Sequence, residues 1–191
     1  MNILTEPLAD YVEIGGVRYA VQTDFKNWIR IGSLMRCPEA GNGAHLAEAL
    51  GLCYVRGSLP PSLEDAVCAM LRFYIGEEEG QAARQGHAKC TAVYDFEYDA
   101  EYIFAAFWAQ YGLDLTKCRL HWHAFRALFL GLCGEHKICR MMEYRGADLS
   151  QIKNKEQKSF YRKMQRLYRL PDMRTQAQRE ADMMAAFSSG F

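Results

Sequence analysis

Asp95, Glu97, Asp99 and Glu101 alternate along one stretch of this 191-residue chain and form its densest set of groups able to do chemistry. Carboxylates this close could ligate a hard cation or serve as an acid–base pair. On a strand they would share one face. Here they straddle the start of an apolar helical pattern, where negative charge is favoured by the positive end of the helix dipole. Capping and packing are therefore the expected roles. The interleaved aromatics Tyr94, Phe96 and Tyr98, with Tyr102, are candidates for packing or for contact with a partner.

The second cluster is Cys133-Gly134-Glu135-His136-Lys137-Ile138-Cys139, with His121 and His123 upstream. It holds enough sulfur and imidazole for one zinc ion. The Cys-x2-His-x2-Cys spacing matches no common zinc module, however, and two histidines two residues apart diverge on a helix. Seven scattered cysteines, with no secretory signal read at the N-terminus, point instead to reduced thiols. Gly41-Asn42-Gly43 lacks the Lys-Ser/Thr of a phosphate loop, and no serine sits in a nucleophile elbow. The expectation is a protein that is not an enzyme and carries no cofactor and no metal.

Charge is the third signal. Lys153, Lys155, Lys158, Arg162, Lys163, Arg166 and Arg169 face only Glu156 within one helical stretch, and Tyr161 sits among them. A phosphate-backbone footprint has this form, and so does the wet face of an amphipathic helix. The chain as a whole is neutral, with 23 basic and 23 acidic residues, which sets nucleic acid behind a solvated or protein-facing surface. Residues 1–110 carry −7 and residues 111–191 carry +7, a polarity that could support head-to-tail self-association or contact between the halves, or be simply solvated. The end of the chain, Met183-Met184-Ala185-Ala186-Phe187, offers soft apolar side chains suited to an adaptable contact or to docking back on the body.

These groups need elements to hold them. Two β-rich runs around Gly15-Gly16 predict an N-terminal hairpin over about residues 11–21, which must pack on something to persist. Thr23 or Asp24 can cap a helix carrying Phe25, Trp28, Ile29 and Gly32, and a weaker helix is expected near Ala44 to Leu52. Ser62 caps a third, opening with Glu64 and Asp65. Gly76 through Gly86 reads as a loop. An apolar helix from Ala100 ends at Gly112, and a second, Leu120 to Leu132, follows after a short connection, predicting an antiparallel pair that forms the core. A short helix near Lys137 to Tyr144 comes next. Asp148 or Ser150 then opens the basic helix, stopped by Pro171. No apolar stretch is long enough to span a bilayer. The reading is mainly α: one helical domain over 1–170 with its hairpin, and a tail over 171–191 that is helical or flexible.

Read together, several blocks resemble the gene-product-fifteen family of long-tailed phages and prophages of Gram-positive bacteria. They are Met1-Asn2-Ile3-Leu4; Thr23-Asp24-Phe25 with Trp28-Ile29; Phe73-Tyr74; Tyr94 through Ile103; His121-Trp122 with Phe125-Arg126-Ala127-Leu128-Phe129 and Gly131-Leu132; Tyr144-Arg145; and Lys153 through Lys158 with Phe160 through Met164. The resemblance covers about residues 1–170. That family is encoded in the tail module near the tape-measure protein. It implies a tail assembly factor of the host cytoplasm, chaperone-like, whose partners are the tape-measure protein and other tail-module proteins. A structural tail component and a DNA-binding regulator are the alternatives. Partner-binding candidates are Tyr94, Phe96, Tyr98, Tyr161, Arg162, Met183, Met184 and Phe187; a homo-oligomer is possible on the charge polarity, and no membrane is involved.

Overall fold

A computed structural model of the chain describes residues 4–36, 43–76 and 92–171. Most of the expected Gly76-to-Gly86 loop and the tail beyond Pro171, with Met183, Met184 and Phe187, lie outside the described residues. Among those described, seven α-helices follow one β-hairpin, a mainly helical architecture.

The hairpin pairs β1 (Tyr11–Ile14) with β2 (Val17–Ala20), Tyr11 opposite Ala20 and Ile14 opposite Val17. Gly15 and Gly16 at its tip have φ of 58° and 80°, the positive pair that a two-residue primed turn demands. The hairpin gains its support from the body. Val12 is buried, the Gln22 N–H donates to the Cys53 carbonyl at 2.7 Å, and the Val55 N–H donates to that of Ala20 at 3.0 Å.

Helix α1 (Phe25–Arg36) starts at Asp24, whose Oδ1 accepts from the Lys26 N–H. Helix α2 (Gly43–Cys53) lies against it, and α3 (Leu63–Ile75) begins under Ser62, which accepts from the Asp65 N–H. Then come α4 (Ala100–Tyr111), α5 (Trp122–Leu130), α6 (Lys137–Gly146) and α7 (Lys155–Leu167).

Two starts differ from the sequence pattern, each because a polar group is used elsewhere. Helix α5 begins at Trp122, not Leu120, since residues 23–25 and 120–122 bridge: the Phe25 N–H donates to the Leu120 carbonyl and the Trp122 N–H to that of Thr23. His121 becomes the cap, its Nδ1 accepting from the His123 N–H. Helix α7 begins at Lys155 under Asn154, which accepts from the Glu156 and Gln157 N–H groups, while Asp148 spends its Oδ1 on the Ser150 N–H in a turn.

The core is also broader than the α4–α5 pair. Trp28 of α1 is fully buried and stacks on Phe73 at 4.7 Å and Trp122 at 6.3 Å. Phe125 of α5 stacks on Phe25 at 4.6 Å and on Phe107 of α4 at 5.2 Å. Both buried indole N–H groups are satisfied, Trp28 by the Gln22 carbonyl at 2.6 Å and Trp122 by that of Tyr74 at 3.0 Å. Gly32 lets Tyr74 cross α1; a Cβ there would overlap the tyrosine hydroxyl.

Candidate interaction surface

Of the alternating acids, Glu97 and Glu101 are exposed, whereas Asp95 and Asp99 are engaged and their partners define the local geometry. Asp95 Oδ1 accepts from the Glu97 and Tyr98 N–H groups at 2.8 and 2.9 Å, which folds residues 95–99 into a capped turn ahead of α4. Its other oxygen meets Arg36 at 3.2 Å. Asp99 has no exposure at all and takes the Arg145 guanidinium in a fork, Nη1 at 2.6 Å and Nη2 at 2.9 Å. It also accepts from the Asp95 N–H at 3.0 Å. Arg145 also donates to two carbonyls, Nη1 to Val93 at 3.0 Å and Nε to Tyr168 at 2.6 Å. One buried ion pair thus ties the start of α4, the end of α6 and the end of α7 together. Such a pair is tolerated when further hydrogen bonds offset its loss of water, as the two carbonyls and the Asp95 N–H do here.

This clamp was hidden in the sequence. Asp99 has the position of an N-cap but makes no capping bond, and Arg145 looks like an ordinary cation in the last turn of a helix. The two are 46 residues apart, and no local spacing connects them.

The aromatic block divides into inside and outside. Phe96 is 5 % exposed, its ring set against Phe129 at 5.3 Å, Phe125 at 5.6 Å and Trp122 at 6.0 Å. Tyr94 is half-buried, edge-on to Phe129 at 4.9 Å. Tyr98 is 55 % exposed. Further along α4, Phe104 and Trp108 lie one turn apart and stack at 6.0 Å, with Trp108 54 % exposed. Beside them runs an open groove of about 400 Å³ lined by Ile29, Ala100, Glu101, Phe104, Leu115 and Thr116, among others. Its walls are almost wholly apolar, which suits side chains of a docked helix better than a polar substrate.

Helix α7 has the opposite character. It buries no residue completely. Its inner face is Tyr161, Met164 and Tyr168: the Tyr161 hydroxyl donates to Glu143 Oε1 at 2.7 Å, and Tyr144 packs against Phe160, Tyr161 and Tyr168. The hydrogen bond to Glu143 holds the Tyr161 hydroxyl above its ordinary pKa. Lys155, Arg162 and Arg166 are exposed and spaced so that they share the outer face, and the exposed Arg169 follows just past the helix end. Among the described residues none of the four joins an ion pair. Phe160 and Leu167, a heptad apart, lie on another side of the helix from these cations, at 47 % and 64 % exposure.

The sulfur and imidazole groups go to separate tasks. His121 Nε2 donates to the Ala9 carbonyl at 3.0 Å while its Nδ1 accepts from His123, so the ring is neutral in the fold. His123 lies against Phe73 at 4.5 Å, and burial pushes it down to about 4. His136 Nε2 donates to Gln110 Oε1 at 2.9 Å, an oxygen that also accepts from the Cys133 N–H. Cys139 points its sulfur at the Leu132 carbonyl, and burial raises its thiol. Among the described residues no three of His, Cys, Asp and Glu gather in a way that could hold a metal, and no helix is long and apolar enough to cross a membrane.

A protein-family model described as Bacteriophage Gp15 protein matches residues 4–170. No curated protein and no solved structure matches the chain.

Proposed function

We propose, from the premise that this chain belongs to the Bacteriophage Gp15 protein family, that it is a tail assembly chaperone that binds the tape-measure protein in the host cytoplasm. Membership supports a general role in tail morphogenesis, alongside protein partners of assembly. The finer reading has its support in one observation: the exposed aromatic groove along α4, with Phe104 and Trp108 beside it and no cluster of reactive groups within it.

A tape measure is a long helical chain with apolar stripes that stands bare until tube subunits surround it, and bare stripes aggregate. An open apolar groove receives such a stripe helix-in-groove. Tyr98, in the turn before α4, is exposed and free for a partner contact, whereas Phe96 is committed to the core. Tyr161 is half-buried against α6 and holds α7 in place, which leaves Arg162 as the outward contact of that pair. Contacts of this kind are individually weak and act by number, so polymerising tube subunits can displace them.

Co-expression with the cognate tape-measure protein tests the proposal. The tape measure is expected to become soluble and to co-purify, and Trp108→Glu with Phe104→Glu is expected to abolish both while leaving the helical content of this chain intact. A tape measure that stays insoluble and unbound beside the wild-type chain would refute it.

A further inference from the structure

The end of the chain leaves the body beside the α4 groove. Pro171 is the last described residue, and Tyr168 shortly before it is anchored at the start of α4: its carbonyl accepts from Arg145 Nε, and the same guanidinium forks onto Asp99. Lys137 bridges the same two places, lying 4.4 Å from the Tyr102 ring centre and 6.0 Å from that of Tyr168. The groove opens along the first turns of α4, where Ala100, Glu101 and Phe104 line it. Residues 172–182 lie between Pro171 and Met183, a tether that extends to roughly 35 Å. Helix α4, with 12 residues, is only about 18 Å long. Met183, Met184 and Phe187 are thus within reach of every part of the groove.

The chemistry of the two is matched as well. Phe25, Phe96, Phe104 and Phe125 supply the aromatic lining of the groove, and Glu101 is the one charged residue among those that line it. Methionine suits such walls, because its thioether adapts to irregular gaps and its sulfur is attracted to ring edges. The tether before it is polar, with Arg174-Thr175-Gln176 and Gln178-Arg179-Glu180 fit for water. The family match stops at residue 170, so this apolar end is an addition beyond the part of the chain that the family describes.

We infer that Met183, Met184 and Phe187 fill the α4 groove of their own chain until a partner displaces them. A tethered segment acts at an effective concentration on the order of millimolar, which favours the chain's own end over that of a second copy in dilute solution. Three large apolar side chains then leave water, and the groove is shielded from indiscriminate contact. Any ligand of the groove has to compete with the tail, and its apparent affinity falls with the fraction of time that the groove stands open. The inference rests on the reading of the groove as a binding surface and adds a threshold to it: only a segment that binds better than the chain's own end gains entry.

Photo-crosslinking on the full chain, with benzoylphenylalanine in place of Phe187 and no partner present, reads the contact directly. Cross-links within one copy to residues 100–104 or 115–116 are expected. Cross-links to other parts of the body, cross-links between copies in dilute solution, or none to the protein at all would each overturn the inference. Binding of the apolar dye Nile red supplies a second readout. The full-length variant Met183→Asp/Met184→Asp/Phe187→Asp is expected to bind the dye roughly tenfold more tightly than wild type, because its groove stands open. Adding Phe104→Glu is expected to remove that gain, and circular dichroism verifies that both variants are folded. Equal dye binding by wild type and the tail variant, or a gain that survives Phe104→Glu, would also overturn the inference. Neither readout involves a tape measure, so the two proposals fail separately. A tail that cross-links into the groove of a chain unable to keep the tape measure soluble would refute the tape-measure reading and leave this one standing. A tail that stays out of the groove of a chain that does keep it soluble would do the reverse.

Discussion

Around Trp28, side chains from α1, α3 and α5 meet ring on ring, and the polar atoms among them, the indole N–H groups, are spent on backbone carbonyls. At α7 no residue is fully buried, and the helix is held by the Tyr144 ring, the Tyr161–Glu143 hydrogen bond and one Arg145 donor reaching the Tyr168 carbonyl. The interior is fixed by area removed from water, which is non-directional and tolerates no hole. The outer helix is fixed by a few directional bonds, so its other faces are left available for a partner. Stability and interaction thus reside in different residues, and substitutions should separate them.

The largest effect is expected in the interior. Trp28→Ala removes a fully buried indole at the meeting point of three helices and should cost roughly 4–5 kcal/mol, unfolding the chain at a much lower denaturant concentration. A small loss would mean that the aromatic centre is not what holds the body. Next comes the clamp joining the two regions. Arg145→Ala strands the Asp99 carboxylate without exposure and should cost about 3–4 kcal/mol in the same experiment. A double Asp99→Ala/Arg145→Ala variant that recovers part of that loss would show how much came from the orphaned charge.

The pH dependence is smaller and belongs to the interior. His123 sits near 4 in the fold against an ordinary 6.5, because burial disfavours its charged ring. Between those values the unfolded chain binds the proton and the folded chain does not. Stability from this group is therefore complete above about 6.5 and is lost as pH falls toward 4. Urea midpoints should decline over that interval, and the decline should flatten in His123→Gln; an unchanged slope would remove the histidine from the account. The smallest effect on stability should be at the outer stripe. Arg162→Ala should shift the unfolding free energy by no more than about 0.5 kcal/mol. A substantially larger loss would make α7 part of the structural frame and not a free surface.

Legibility in the sequence followed the range of the interactions. The hairpin, with its Gly15-Gly16 turn, and the caps at Asp24 and Ser62 are local, and their patterns lead to the structure. The cationic face of α7 is periodic and equally visible. Where a residue chooses between a local role and a distant one, the pattern is silent. His121 and Leu120 look like parts of a helix until residues 23–25 pair with them, and Asp99 looks like a cap until Arg145 arrives from 46 positions away. Phe96 and Tyr98 look alike as aromatic neighbours; only the packing of α5 decides that one is core and the other surface.

A chain that serves tail construction by binding and then leaving, as we propose, should be missing from the finished particle. Quantitative mass spectrometry comparing purified mature particles with the lysate in which they assemble tests it most directly. The chain is expected to be abundant in the assembling lysate and absent from the particles; a fixed number of copies in every particle would refute the proposal and make the protein a part of the tail.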